Sequence, residues 1–187
     1  KTSRDDQRNR DARSNEITEL RDEVMNANAL VGVHDVHVYD FPDNRFDNVP
    51  LLDVVKVVER HIDEFQPTAV LTHFASDMNV DHSVTNRAVL TATRPLPGSQ
   101  LRLVAAFEVL SSTGWFYPHG FAPNMFVPCD ESDLRAKVDA MAAYDSELRA
   151  YPHPRSLEAI RDLARYRGAS AGCLSAEAFC LLRMTTS

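Results

Sequence analysis

Apolar residues recur at Ile17, Leu20, Val24, Ala27, Leu30 and Val31, and this spacing, closed by Gly32 where a C-terminal cap belongs, predicts a helix over 16–33. The period then changes. VHVYDF (36–41) alternates and is rich in β-branched and aromatic residues, which predicts a strand ending at Pro42 in the turn-former cluster FPDNRFD. Pro50 at a first helical position, followed by an apolar face through Leu51, Val54, Val55, Val58 and Ile62, predicts a second helix over 50–65. TAVLTH (68–73) is too short for a helix and reads as a buried strand, whereas HSVTNRAVLTATR (82–94) returns to helical spacing until Pro95 breaks it. Further on come strands at 101–109 and 124–129, a helix over 130–151 with an acidic start, a helix over 156–168 and a last strand over 176–184.

Helices alternating with strands through short connections are the pattern of a parallel sheet whose crossovers are helical, so the expected class is α/β. A chain of 187 residues fits a single domain, at about 100–200 residues per domain. With 44% hydrophobic and 25% charged residues the composition is that of an ordinary globular protein. A formal net charge of -7 argues against a nucleic-acid or anionic-membrane partner, which would call for clustered Lys and Arg. No stretch reaches the roughly 20 apolar residues that insertion across a bilayer needs. The expected partner is a small molecule, with a homo-oligomer left open. Cys129, Cys173 and Cys180 lack C-x-x-C spacing and read as buried thiols of a reducing, cytoplasmic environment.

Ligands of open α/β sheets gather at the carboxyl ends of the strands, which points to FPDNRFD, THFASDMNVDH and SSTGWFYPHGFAPN. The second of these concentrates His73, Asp77, Asn79, Asp81 and His82. Asp81 suits the start of a helix as a cap, or a carboxylate that serves a histidine. Asp77 has the same choice between turn residue and orienting carboxylate. His82 alone does not make a zinc site, which needs three or four ligands. His73 reads as facing the rim of a site or as a satisfied core histidine. Asp43 and Arg45 suit sugar hydroxyls or a phosphate, or else a structural ion pair, and Trp115 and Phe116 offer a stacking surface or simple packing. A metal phosphoesterase would need further Asp and His clusters, which the sequence does not offer.

The segments FPDNRFD, THFASDMNVDHSVTNRAVLTATRP, FEVLSST.W, FAPNMFV, YDSELRAYPHPRS and AEAF together resemble the PIG-L/LmbE-like N-deacetylases, in that family's order along nearly the whole chain. The resemblance implies a Rossmann-like, three-layer fold with a mostly parallel sheet. It also implies one catalytic Zn2+ whose ligands are a His and an Asp of an AHPDDE-type motif and the His of a later DH motif, matched here by His82. No HPDD-like run occurs in this chain, which opens on Lys1 in a charged stretch, as an internal fragment would. The expectation is therefore that the first strand and metal loop lie upstream of residue 1, so that the full-length protein removes acetate from a small N-acetylated sugar. The alternative is a catalytically degenerate ligand-binding domain of the same fold. Where relatives carry an oxyanion-stabilising His three residues before the metal ligand, this chain has Asn79, and His153 of HPRS is the candidate replacement. Asp81 is grouped with them as catalytic. Arg155 and Glu177 are assigned to structural pairs or to the lining of the pocket, and Gly114 stands where relatives often show Glu.

Overall fold

The computed structural model describes residues 14–115 and 120–186. The chain divides into two compact units, one made of Lys1–Asp43 with Val127–Glu177, the other of Asn44–Phe126 with Ala178–Ser187.

In the first unit, α1 (Ser14–Leu30) ends as its sequence dictates. Gly32 adopts φ +75, Val33 N–H donates to Asn28 C=O at 3.0 Å and Gly32 N–H to Ala29 C=O at 3.2 Å, a paired closure of the last carbonyls that glycine makes strain-free. α4 (Glu131–Ala142) opens on a capping box: Asp130 accepts from the Ser132 and Asp133 amides at 2.7 and 3.0 Å, and Asp133 accepts from the Asp130 amide at 3.0 Å. α5 (Leu157–Ala171) is capped by Ser156, whose Oγ accepts from Ala159 N–H at 3.1 Å, and closes on Gly172 at φ +75. Ala27, Leu134, Val138, Ile160 and Ala164 form the core of this unit. Gly168 is buried in α5, and a Cβ built there would stand 2.6 Å from the Ser175 backbone. The same Ser175 is bonded twice to Cys129: its carbonyl accepts from Cys129 N–H at 2.9 Å, and its Oγ donates to Cys129 C=O at 2.8 Å.

In the second unit, α2 (Leu51–Phe65) and α3 (Val80–Ala92) pack on each other, with α3 also against β1 (Ala69–His73). β1 runs parallel to β2 (Leu103–Phe107), pairing Ala69 with Leu103 and His73 with Phe107. β2 is antiparallel to β4 (Ala176–Met184), with a register shift at Val104/Ala105. The open four-stranded sheet has the order β1-β2-β4-β3, β3 being Met125–Pro128. Val104, Ala105 and Ala106 are all buried, as expected of a strand covered on both faces, and Val54, Val55, Ala88, Val89 and Leu101 complete the core. The class is α/β as the periodicity predicts, with a mixed sheet.

Four expectations are corrected. Residues 36–41 are not a strand: no strand among the described residues pairs with them, and a β pattern without a partner for its backbone groups stays irregular, with Val38 and Tyr39 exposed. The helix expected over 130–151 stops at Ala142, because the next residues are claimed by other bonds. Ser146 donates through N–H and Oγ to the buried Glu23 of α1 at 2.8 and 2.6 Å, and Arg149 N–H donates to Arg155 C=O. Pro50 is the N-cap residue of α2, not its first helical residue. The cysteines are half-buried rather than buried. No helix among the described residues is long and apolar enough to cross a membrane.

Candidate functional site

β1 delivers His73 at its carboxyl end, and the following loop turns into α3. Asn79, and not Asp81, caps that helix: its Oδ1 accepts from Asp81 N–H at 2.9 Å, and its carbonyl accepts from His82 N–H at 3.1 Å. His82 thereby sits in the first turn of α3.

Asp77 lies at the centre of the loop with its side chain fully buried. Its Oδ1 accepts from Asn79 N–H at 2.8 Å and faces His82 Nδ1 at 3.1 Å, while its Oδ2 accepts from Ser112 Oγ at 3.0 Å and Thr113 Oγ1 at 2.6 Å. Burial acts to raise its pKa, but the bonds from Thr113, Asn79 and His82 outweigh burial and hold the carboxyl below the usual range. The Asp77 acceptor sites are thus occupied by Asn79, His82, Ser112 and Thr113. A His82 Nδ1–H directed at Asp77 leaves the Nε2 lone pair as the ring's ligating or proton-accepting face.

The His73 ring stacks on that of His82, with centroids 4.1 Å apart and planes 20° apart, and leans on Phe107 at 4.8 Å. Burial first, then the neighbouring His82, lower the His73 pKa to about 4 against the opposing pull of Asp77, so His73 is a neutral ring at neutral pH. Its Nδ1 is buried without a hydrogen-bond partner among the described residues, and its carbonyl is held by Asn86 Nδ2 at 2.8 Å.

Asp81 works away from the histidines. Its two oxygens accept from Asn44 N–H at 2.6 Å and Phe46 N–H at 3.0 Å, which ties the 3-10 turn Phe46–Asn48 to the start of α3. Arg45 is exposed on that turn. Trp115 ends the 3-10 turn Thr113–Trp115 and is 42% exposed, and a Cβ at Gly114 would meet nothing within 4 Å. Phe116 lies outside the described residues. His73, Asp77, Asn79, Asp81, His82, Arg45 and Trp115 thus all belong to the second unit, and Asp43, His153 and Arg155 to the first. There, Arg155 N–H donates to His153 Nδ1 at 3.0 Å, the Arg155 guanidinium pairs with Glu147, and Glu177 pairs with Lys137.

Sequence reasoning gives no role to Ser112 or Thr113, which reach Asp77 from beyond β2. The signal available was a pair of hydroxyl residues placed just after a strand, SST, where a loop enters the carboxyl edge of the sheet. Among the described residues, no group of three or more His, Cys, Asp or Glu is arranged to hold a metal ion.

Residues 2–93 match the family model described as PIG-L: GlcNAc-PI de-N-acetylase. No curated protein matches the chain by sequence. Similar solved structures include the conserved protein TT1542 from Thermus thermophilus, at 23% identity over 91% of this chain and 76% of that one, with a TM-score of 0.68. The N,N'-diacetylchitobiose deacetylase from Pyrococcus horikoshii, solved with its inhibitor MPG, shares 18% identity over 89% of this chain and 64% of its own, with a TM-score of 0.66. GalB, the 4-carboxy-2-hydroxymuconate hydratase from Pseudomonas putida, shares 17% over 91% and 73%, with a TM-score of 0.60. At such identities the likeness speaks for the fold alone, and this fold is common to a deacetylase and a hydratase.

Proposed function

Because the chain belongs to the PIG-L family through residues 2–93, we propose that the full-length protein is a zinc-dependent N-deacetylase that hydrolyses the N-acetyl amide of a small amino sugar or sugar conjugate. Water adds to the amide carbonyl, the C–N bond breaks, and the products are the free amine and acetate. The observation that carries this reading is His82 itself: an imidazole at the start of α3 with Nδ1 facing the buried Asp77 carboxylate at 3.1 Å, so that Nε2 is left to ligate.

The fit to zinc is partial. His82 supplies one ligand, and the described residues hold no full set, so the other ligands would be furnished from outside them. A zinc bound at His82 would bring its water toward a pKa of ~7 and polarise the amide carbonyl. The rest of the chemistry falls to this chain. The Asn79 side chain caps α3 through Oδ1, which leaves its amide Nδ2–H to donate to the oxyanion of the tetrahedral intermediate, although it has no proton to deliver. Asp81 positions the 44–46 turn, and a general-base role for it would require breaking two backbone bonds. Arg45 and Trp115 are the proposed sugar contacts of the second unit, with His73 as the neutral ring stacked on His82.

The test is His82→Ala in the full-length protein, with zinc content and acetate release from N-acetylated sugars measured side by side. Loss of both with an unchanged thermal transition is the expected result; full zinc and full activity would sink the assignment of His82. The incomplete ligand set favours a second reading, a ligand-binding domain without catalysis, and wild-type protein that binds sugar but releases no acetate with zinc present would establish it.

A further inference from the structure

We propose that Thr113 is a positioning residue that acts through Asp77 to hold His82 in its Nδ1–H form. Thr113 is 1% exposed, and its Oγ1 accepts from Val109 N–H at 2.8 Å, which leaves its own proton one short bond to make, 2.6 Å to Asp77 Oδ2. A carboxylate offers about four acceptor sites, and here they face Asn79 N–H, His82 Nδ1, Ser112 Oγ and Thr113 Oγ1. The backbone of Asn79 pins one oxygen and Thr113 the other, so the carboxylate plane has no freedom to turn.

That restraint matters because His82 Nδ1 has a second partner in reach. Ser112 Oγ stands 3.4 Å from it and is able to donate as well as accept. With Thr113 removed, the carboxylate can rotate, Ser112 can donate to Nδ1, and the ring can carry its proton on Nε2, where it would block ligation. Thr113 decides between these states without touching the histidine. It also opens the turn that ends in Trp115, and therefore ties the proposed sugar-stacking ring to the residue that orients the ligand.

The consequence for metal binding rests on the deacetylase reading, whereas the tautomer does not, and the experiment separates them. In metal-free full-length protein, the long-range 1H–15N NMR spectrum of the His82 ring should show a single Nδ1–H tautomer in the wild type and in Thr113→Ser, and a mixture in Thr113→Val. Zinc titration should follow the same order, with Thr113→Val weakened about 10–100-fold and Thr113→Ser close to wild type, the range for loss of an outer-sphere partner. A purely structural role for Thr113 would alter the unfolding transition and leave the tautomer alone. A folded Thr113→Val with an unchanged tautomer overturns the proposal. So does a wild-type ring already on Nε2–H, a result that needs no variant to fold. A tautomer that changes from wild type to Thr113→Val, in a protein whose wild type takes up no zinc, would sink the metal reading and leave Thr113 in its assigned place.

Discussion

Asp77 and His82 face each other at 3.1 Å across one turn of loop and helix, and the direction of that contact, carboxylate to Nδ1, fixes which nitrogen of the histidine is presented outward. Asn79 stands between them in sequence and has two duties of its own: it caps α3 through Oδ1, and its amide is the proposed oxyanion donor.

The two duties of Asn79 separate by substitution. Asn79→Ser keeps a capping oxygen and removes the amide, so stability should stay near wild type while turnover falls by roughly 10²–10³. Asn79→Ala removes both and should also lose about 1 kcal/mol of stability. Urea unfolding paired with acetate release in the full-length protein reads the split; equal turnover in Asn79→Ser and wild type would remove Asn79 from the chemistry.

Asp81→Ala should act on the fold first. It strips acceptors from the Asn44 and Phe46 amides and frees the Phe46–Asn48 turn from α3, at a cost of about 1–3 kcal/mol. A lower urea midpoint is the measured sign, and a midpoint indistinguishable from wild type would show that water replaces the carboxylate at no cost.

Ser156→Ala removes the cap of α5 at a fully buried position, where no water can replace the hydroxyl for Ala159 N–H. A loss toward the upper part of the ~0.5–2 kcal/mol range for caps is expected in the denaturation midpoint.

Tyr144 gives a pH dependence. Burial, and then the negative charge of Glu23, raise its phenol above the ordinary value, which is about 10. The folded state therefore holds the proton more tightly than the unfolded chain. The resulting stability is complete below the unfolded pKa and is lost as pH rises through the folded one. Tyr144→Phe should flatten the fall in thermal midpoint between neutral pH and about pH 11; a wild-type slope in that variant would remove Tyr144 as the source.

The helices were legible because amphipathic spacing and capping residues are local signals. Gly32, Asp130 and Ser156 mark their ends with side chains or dihedrals that act within a few residues. The same locality explains the errors. Nothing near residues 36–41 reveals whether a strand partner exists, and nothing in 143–151 announces that Glu23 of α1 will claim Ser146. For the candidate site, the loop 73–82 stood out as polar chemistry at a strand end, but the work of each residue in it is set by partners far along the chain. Asp77 is fixed by Ser112 and Thr113, and Asp81 by the backbone of Asn44 and Phe46. Such pairings have no periodicity to read.

At Gly168 the backbone of α5 lies against Ser175 so closely that even a methyl group would overlap main-chain atoms of a residue that is itself hooked to Cys129 through its carbonyl and hydroxyl. Intrinsic helix preference would gain from alanine there, by roughly 1 kcal/mol. The neighbouring backbone vetoes the exchange. In a library carrying all twenty residues at this position, selection for folded protein should return glycine almost alone, so that drift over evolutionary time is closed at a site whose helical setting would suggest it is open.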